Sequence, residues 1–237
     1  MYQNLQSKST NNTGANKPIP AQVGLGTRTA SITTIFTQGN LQDVDNPNYM
    51  AIEGTGFFKV RNADGDICYT RDGSFNLMPT DNGGAMLCTS DGNPVLDQNN
   101  NTIIVPAGYK TGEITVDREG NLFMTDANEQ KVAMTNTANG QAYNQRIGLV
   151  QFNNPSGLND AGSNLYTETV VSGAPLEEST TQGLKTSLVH QGYLEMSNVQ
   201  VADEMVNMIV AQRAYEMNSK AIQASDQMLE QANNLRR

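Results

Sequence analysis

Tryptophan is missing from this 237-residue chain, histidine occurs once and cysteine twice. One histidine excludes a three-histidine or paired-histidine metal centre within a single chain. It also leaves His190 as the sole imidazole for any serine or cysteine nucleophile. Charge is sparse: 16% of residues are charged, and 24 acidic against 15 basic side chains give a net charge of −9. Nucleic acid is excluded as a partner on this balance, because phosphate binding needs clustered Lys and Arg. No apolar run approaches the ~18 residues that a membrane helix needs, so no membrane insertion is expected. No charged start followed by an apolar stretch marks a secretory signal peptide, so any export must use another route.

Neutral amides fill the gap. The chain holds 28 Asn and 17 Gln, more than its charged residues combined. The little charge there is segregates along the chain. Residues 1–42 contain Lys8, Lys17 and Arg28 and no acid, residues 43–192 carry a net −10, and residues 193–237 carry a net −2.

Pattern divides the chain at the same places. Residues 1–42 read as an extended polar arm, rich in Asn, Ser, Thr and Gly at its start and interrupted by Pro18 and Pro20. Residues 43–192 read as a β-rich domain. Short apolar or alternating runs recur at Ile32–Phe36 (within the arm), Tyr49–Ile52, Phe57–Val60, Phe75–Met78, Ile103–Val105, Ile114–Val116, Leu122–Met124 and Ile147–Phe152. Turn signals such as Asp64-Gly65, Asp91-Gly92 and Glu119-Gly120 separate many of them. Many short strands with frequent turns predict an antiparallel β-domain and exclude an alternating βαβ fold. None of the Asp-Gly pairs follows the spacing of a calcium-binding EF-hand loop. Cys68 and Cys88 lie in this region; buried thiols are the simpler reading, and a disulfide across a hairpin-like segment stays open.

After Gly192 the character changes. Residues 193–237 contain neither Gly nor Pro. Ser197 and Gln200 have the spacing of a capping box, which predicts a helix over about 198–234, on the order of 55 Å long at ~1.5 Å per residue. Its apolar residues form two seams of three-four spacing. One runs through Val201, Met205, Met208, Tyr215, Ile222 and Leu229; the other runs through Val206, Val210, Ala214, Met217, Ala221, Ala224, Met228 and Leu235. A helix lying on a β-domain needs one apolar stripe. Two seams call for neighbours on more than one side, and the chain has no obvious second helix to supply them. The expected assembly interface therefore comprises Val201, Met205, Met208, Ile209, Tyr215, Met217, Ala221, Ile222, Met228 and Leu229. The Met-rich seam is adaptable packing rather than a cofactor site. The alternative for the helix is that it folds back over its own β-domain.

Two other classes stay in play. An enzyme would need a catalytic pair, and scattered Asp and Glu supply chance pairs such as a glycosidase uses; the missing Trp removes a common sugar platform. A β-rich surface adhesin or binding module would use the helix as a stalk.

Several blocks decide between these classes. Gln191-Gly192-Tyr193-Leu194-Glu195-Met196-Ser197-Asn198-Val199, Glu204-Met205-Val206-Asn207-Met208-Ile209 and Gln212-Arg213-Ala214-Tyr215-Glu216-Met217-Asn218-Ser219-Lys220-Ala221 stand at the C-terminal end. Upstream stand Gly54-Thr55-Gly56-Phe57-Phe58, Tyr69-Thr70-Arg71-Asp72-Gly73-Ser74-Phe75 and Asn164-Leu165-Tyr166-Thr167-Glu168-Thr169. In content and order these blocks resemble the rod and hook protein family of the bacterial flagellum. The resemblance implies a non-enzymatic structural subunit of the distal rod of the flagellar basal body, without a cofactor. Such a subunit forms a helical tubular homopolymer, with terminal helices packed as coiled coils in the inner tube and the β-domain outside. The rod carries motor torque to the hook and passes exported subunits. The implied partners are other copies of the chain, the neighbouring rod and hook proteins, and the flagellar type III export apparatus. The implied place is the basal body, across the periplasm and cell wall, reached without a cleaved signal. Family members begin with a helix bearing an Asn-rich motif, which this chain lacks; Met1-Tyr2-Gln3 resembles a start just after it. The long polar arm favours the rod branch. Between Tyr69 and Asn164 there is no room for the extra outer domain of a hook protein; hook or proximal rod protein remains the alternative within the family.

Overall fold

The computed structural model describes residues 33–80, 83–106, 113–125, 130–138, 141–181 and 183–234, together with the backbone of four short strands before residue 25. The chain divides into two compact units, Met1–Ile35 and Phe36–Arg237. In the first, two antiparallel pairs nest in sequence: Tyr2–Asn4 with Gln22–Gly24, and Ser9–Thr10 with Asn16–Lys17.

The second unit is built from antiparallel strands and one C-terminal helix, as the strand and turn pattern predicts. Its largest sheet has six strands, in the order Asn159–Gly162, Leu165–Thr167, Ile67–Thr70, Phe57–Arg61, Leu149–Gln151 and Leu176–Glu177. Two three-stranded sheets accompany it: Asn76–Pro79, Ala85–Cys88 and Ile104–Val105; and Ile114–Val116, Leu122–Thr125 and Lys131–Ala133. Met50–Glu53 pairs with Leu188–Gln191, and Leu41–Asp43 with Tyr193–Glu195.

Alternation along these strands sends one face inward. Ile52, Phe58, Val60, Phe75, Val95 and Ile147 form a closed apolar core, each at most 1% exposed. A second cluster is aromatic. Phe57, Tyr69 and Phe152 meet edge-to-face, with Phe57–Phe152 and Tyr69–Phe152 centroids 5.8 and 4.9 Å apart, the geometry aromatic quadrupoles favour. The apolar run Ile32–Phe36 is a correction to the strand expectation: its described residues, 33–36, form no strand. Phe36 instead turns its ring onto this cluster, 5.2 Å from Phe57 and 5.0 Å from Tyr166.

Cys68 and Cys88 are both buried free thiols. Burial pushes both up in pKa, with Asp66 and Asp64 adding to the rise at Cys68; neither has the exposed, electropositive setting of a reactive cysteine. His190 sits on a strand, its Nε2 2.7 Å from the Glu53 carboxylate and its ring 5.8 Å from that of Tyr193.

The helix runs Val201–Asn234, three residues later than the capping-box spacing predicts. The Ser197 hydroxyl accepts a hydrogen bond from the Val199 N–H at 3.2 Å, closing a local turn rather than a capping box. The first helical bond belongs to Gln200, whose carbonyl accepts from the Glu204 N–H at 3.2 Å. Asp203 and Glu204 stand in the first turn, where carboxylates meet the positive end of the helix dipole.

Candidate functional site

The 34 residues of the helix extend about 50 Å at ~1.5 Å per residue. Among its described residues none is buried, and Ser219 alone is even partly covered. Eleven large apolar side chains from Val201 to Leu229 are 55% to 77% exposed. Fold-back over the β-domain, the alternative reading, does not occur.

At ~100° per residue the candidate interface residues fall on two nearly opposite faces. Val201, Met205, Met208, Tyr215, Ile222 and Leu229 share one. Met217, Ala221 and Met228 share the other with Val206 and Val210; Leu235, the last residue of that seam, lies outside the described residues. Ile209 lies apart from both, on a flank with Arg213, Glu216 and Lys220, where Arg213 donates to Glu216 at 3.0 Å. The opposite flank carries Asn207, Asn218 and Ser225, without charge. Fully burying one large aliphatic side chain contributes roughly 1.5–3 kcal/mol, so each face is a surface that associates when a matching one is offered.

A tightly built neck carries the helix. The strand Tyr193–Glu195 runs antiparallel to Leu41–Asp43, with Glu195 opposite Leu41. The Met196 N–H donates to the Asn40 carbonyl at 2.9 Å, and the Asn198 amide donates to the Thr37 carbonyl and hydroxyl at 3.0 and 2.7 Å. The two chains approach so closely that a Cβ on Gly39 would stand 1.8 Å from the Met196 carbonyl oxygen, so only glycine fits there.

At the centre of the neck is an ion pair. Arg71 donates from Nε and Nη2 to the Glu195 carboxylate at 2.9 to 3.1 Å. Both side chains are nearly buried, 12% and 10% exposed. The Arg71 Nη1 reaches the carbonyls of Gly54 and Gly56 at 3.0 and 3.1 Å, and its guanidinium lies 5.8 Å from the Phe57 ring centroid. The Glu195 carboxylate also accepts from the Gly39 N–H at 2.9 Å. A planar guanidinium fits this forked arrangement; a lysine would not. Three sequence blocks thus converge on Arg71: the Gly54–Phe58 segment, the Tyr69–Phe75 segment and the Gln191–Val199 segment. Reading the sequence for seams missed this clamp. The signal available was a single Arg in one block and a single Glu in another, with Asp72 the one other charge in the three blocks.

Among the described residues no group of three or more His, Cys, Asp or Glu could hold a metal ion, and no helix is long and apolar enough to cross a membrane. Several buried polar groups elsewhere are already committed. Glu178 accepts from Gln151 and from the Ser187 N–H and hydroxyl at 2.7 to 2.8 Å. Lys59 Nζ donates to Gln98, Asn100 and Glu177.

Known proteins resemble both parts of the site. Residues 190–235 match the family model described as the flagellar basal body rod FlgEFG protein C-terminal region. Residues 51–124 match that of the flagellar hook protein FlgE/F/G D1 domain. The chain is 41% identical over 237 residues to the flagellar basal-body rod protein FlgG of Buchnera aphidicola, covering 99% of this chain and 83% of that one. It is 42% identical over 222 residues to the protein of the same name from Borreliella burgdorferi, covering 93% and 77%. It is 32% identical over 221 residues to the flagellar hook-basal body complex protein FlhP of Bacillus subtilis, covering 92% and 76%. The adhesin reading finds no support in these relatives.

Proposed function

The chain belongs to the flagellar basal-body rod proteins, a family of structural rod subunits, and from that premise we propose that it builds the distal rod by packing its C-terminal helix against other copies. The observation that carries this is the helix with two opposite apolar faces, neither of them covered by the chain's own described residues. A single-faced helix would complete its packing on the β-domain. A two-faced helix completes it only inside a bundle, which is the setting of a tubular polymer. In this reading Val201, Met205, Met208, Tyr215, Ile222 and Leu229 meet one neighbour, and Met217, Ala221 and Met228 meet another, with Ile209 at the margin between them. Residues 1–42 serve as the polar arm, 43–192 as the outer β-domain and 193–237 as the assembly segment. The polymer carries torque from the motor to the hook and lets exported subunits pass. It joins neighbouring rod and hook proteins in the basal body across the periplasm and cell wall, after delivery by the type III export apparatus.

The test places charge on each face in turn. Ala221→Glu and Ile222→Asp each put a carboxylate into a surface that must be desolvated on assembly. Each variant is expected to abolish incorporation into basal bodies, and motility with it, while the β-domain keeps its thermal transition. Full motility of a strain that carries such a variant as its sole copy would overturn the assignment of the helix as the assembly surface.

A further inference from the structure

The β-domain carries two apolar surfaces that the helix does not account for. The first is a knob. Residues 169–175 follow the strand Leu165–Thr167 and contain no charged residue. Val170 at the apex is fully exposed (102%) and Val171 is 69% exposed. The backbone beneath them is rigidly held. The Thr169 hydroxyl donates to the Gly157 carbonyl at 2.6 Å and accepts from the Val171 and Ser172 N–H groups at 3.2 Å. The buried Ser172 hydroxyl accepts from the Thr169 N–H at 2.9 Å, and the Asn154 amide donates to the Val171 carbonyl at 3.3 Å.

The second surface is flat. On the sheet Asn76–Pro79, Ala85–Cys88 and Ile104–Val105, Met86 pairs with Met78 on one side and with Ile104 on the other. These three side chains form a row on the outward face, opposite the core-facing Leu77 and Leu87. Met78 and Ile104 are each 45% exposed, and none of the three strands contains a charged residue.

We infer that the valine knob of one copy seats on the Met78–Met86–Ile104 row of the next, giving the β-domains a head-to-tail contact of their own outside the helix bundle. This rests on the polymer reading above. Residues 43–192 carry a net −10, so two copies repel wherever their acidic surfaces face each other. A contact between copies is therefore favoured where the touching residues are uncharged, as those of the knob and the row are, with the exposed Glu168 and Asp91 at their margins. A knob and a flat row are not self-complementary, so the contact is heterologous and propagates along a helical assembly instead of closing as a two-fold dimer. Two methionines let the row adapt to the incoming valines.

Cysteine substitution tests the contact in basal bodies isolated from cells whose sole copy is the variant chain. Cys68 and Cys88 are buried, at 0% and 1% exposure, so the parent chain is expected to give no product with a short bismaleimide crosslinker. The doubly substituted Val170→Cys, Ile104→Cys chain is expected to give a ladder of covalent dimers, trimers and longer products. Each single variant is expected to remain monomeric. Dimers from Val170→Cys alone, or an incorporated double variant that gives no ladder, would overturn the contact while leaving the polymer reading intact. Basal bodies that lack the parent chain would overturn that reading and this contact with it.

Discussion

Valine and methionine occur in both the β-domain and the helix and meet opposite fates. Val60, Val95 and Val150 are completely buried and Met50 and Met134 are 2% exposed, whereas Val206, Val210, Met205 and Met208 all stand near 60%. The difference is one of enclosure, not of side-chain chemistry. A strand meets its partners through hydrogen bonds to neighbours in the same chain, and its inward face closes over a shared core. The helix satisfies its backbone within itself, so it can stand with both apolar faces open. The β-domain thus closes over its own core, while the helix leaves its apolar faces exposed.

The contrast can be broken most forcefully from the core side. Phe57→Ala removes a fully buried ring and is expected to cost about 3–5 kcal/mol, seen as a large fall in the denaturant midpoint. Met208→Ala, on the exposed helix face, is expected to shift the isolated chain by no more than about 0.5 kcal/mol. Equal losses at the two positions would mean that the helix packs on its own chain in solution. The neck joins the two regimes. Glu195→Ala leaves the Arg71 guanidinium nearly buried without its carboxylate and is expected to cost about 3 kcal/mol, with faster amide exchange along residues 36–43 and 193–198. Unchanged exchange there would mean that the strand pairing alone holds the neck.

The smallest effect sharpens the comparison by pH. Burial, reinforced by the Glu168 charge, raises the Tyr69 phenol from its ordinary value of 10.0 to about 12. The folded state therefore favours the neutral phenol. Its contribution is fully present below pH 10 and is lost as pH rises through about 12. Ultraviolet titration is expected to show a phenol ionising near pH 12, with Tyr69→Phe removing this late step. A late step that survives unchanged in Tyr69→Phe would contradict its assignment to Tyr69.

Legibility followed locality. The helix and its seams could be read because a period near 3.6 and the lack of Gly and Pro are properties of contiguous residues. The turns at Asp64-Gly65 and Asp91-Gly92 were legible because glycine takes the positive φ found there, 92° and 87°. The Arg71–Glu195 clamp, joining positions 124 residues apart, leaves no periodic trace. The start of the helix was misjudged for a related reason. Ser197 and Gln200 have capping-box spacing, but the Asn198 side chain is drawn to Thr37, the Ser197 hydroxyl is taken by a local turn, and the helix begins only at Val201.

Sequence by itself determined the fold class, the long helix with its two apolar faces, and the family, since each depends on short contiguous patterns. Tertiary structure alone decided that both faces stay open, that Cys68 and Cys88 remain buried thiols, and that Arg71 ties the helix to the domain. Those outcomes depend on which distant segments come together, and burial and ion pairing take their energy from such long-range proximity rather than from order along the chain.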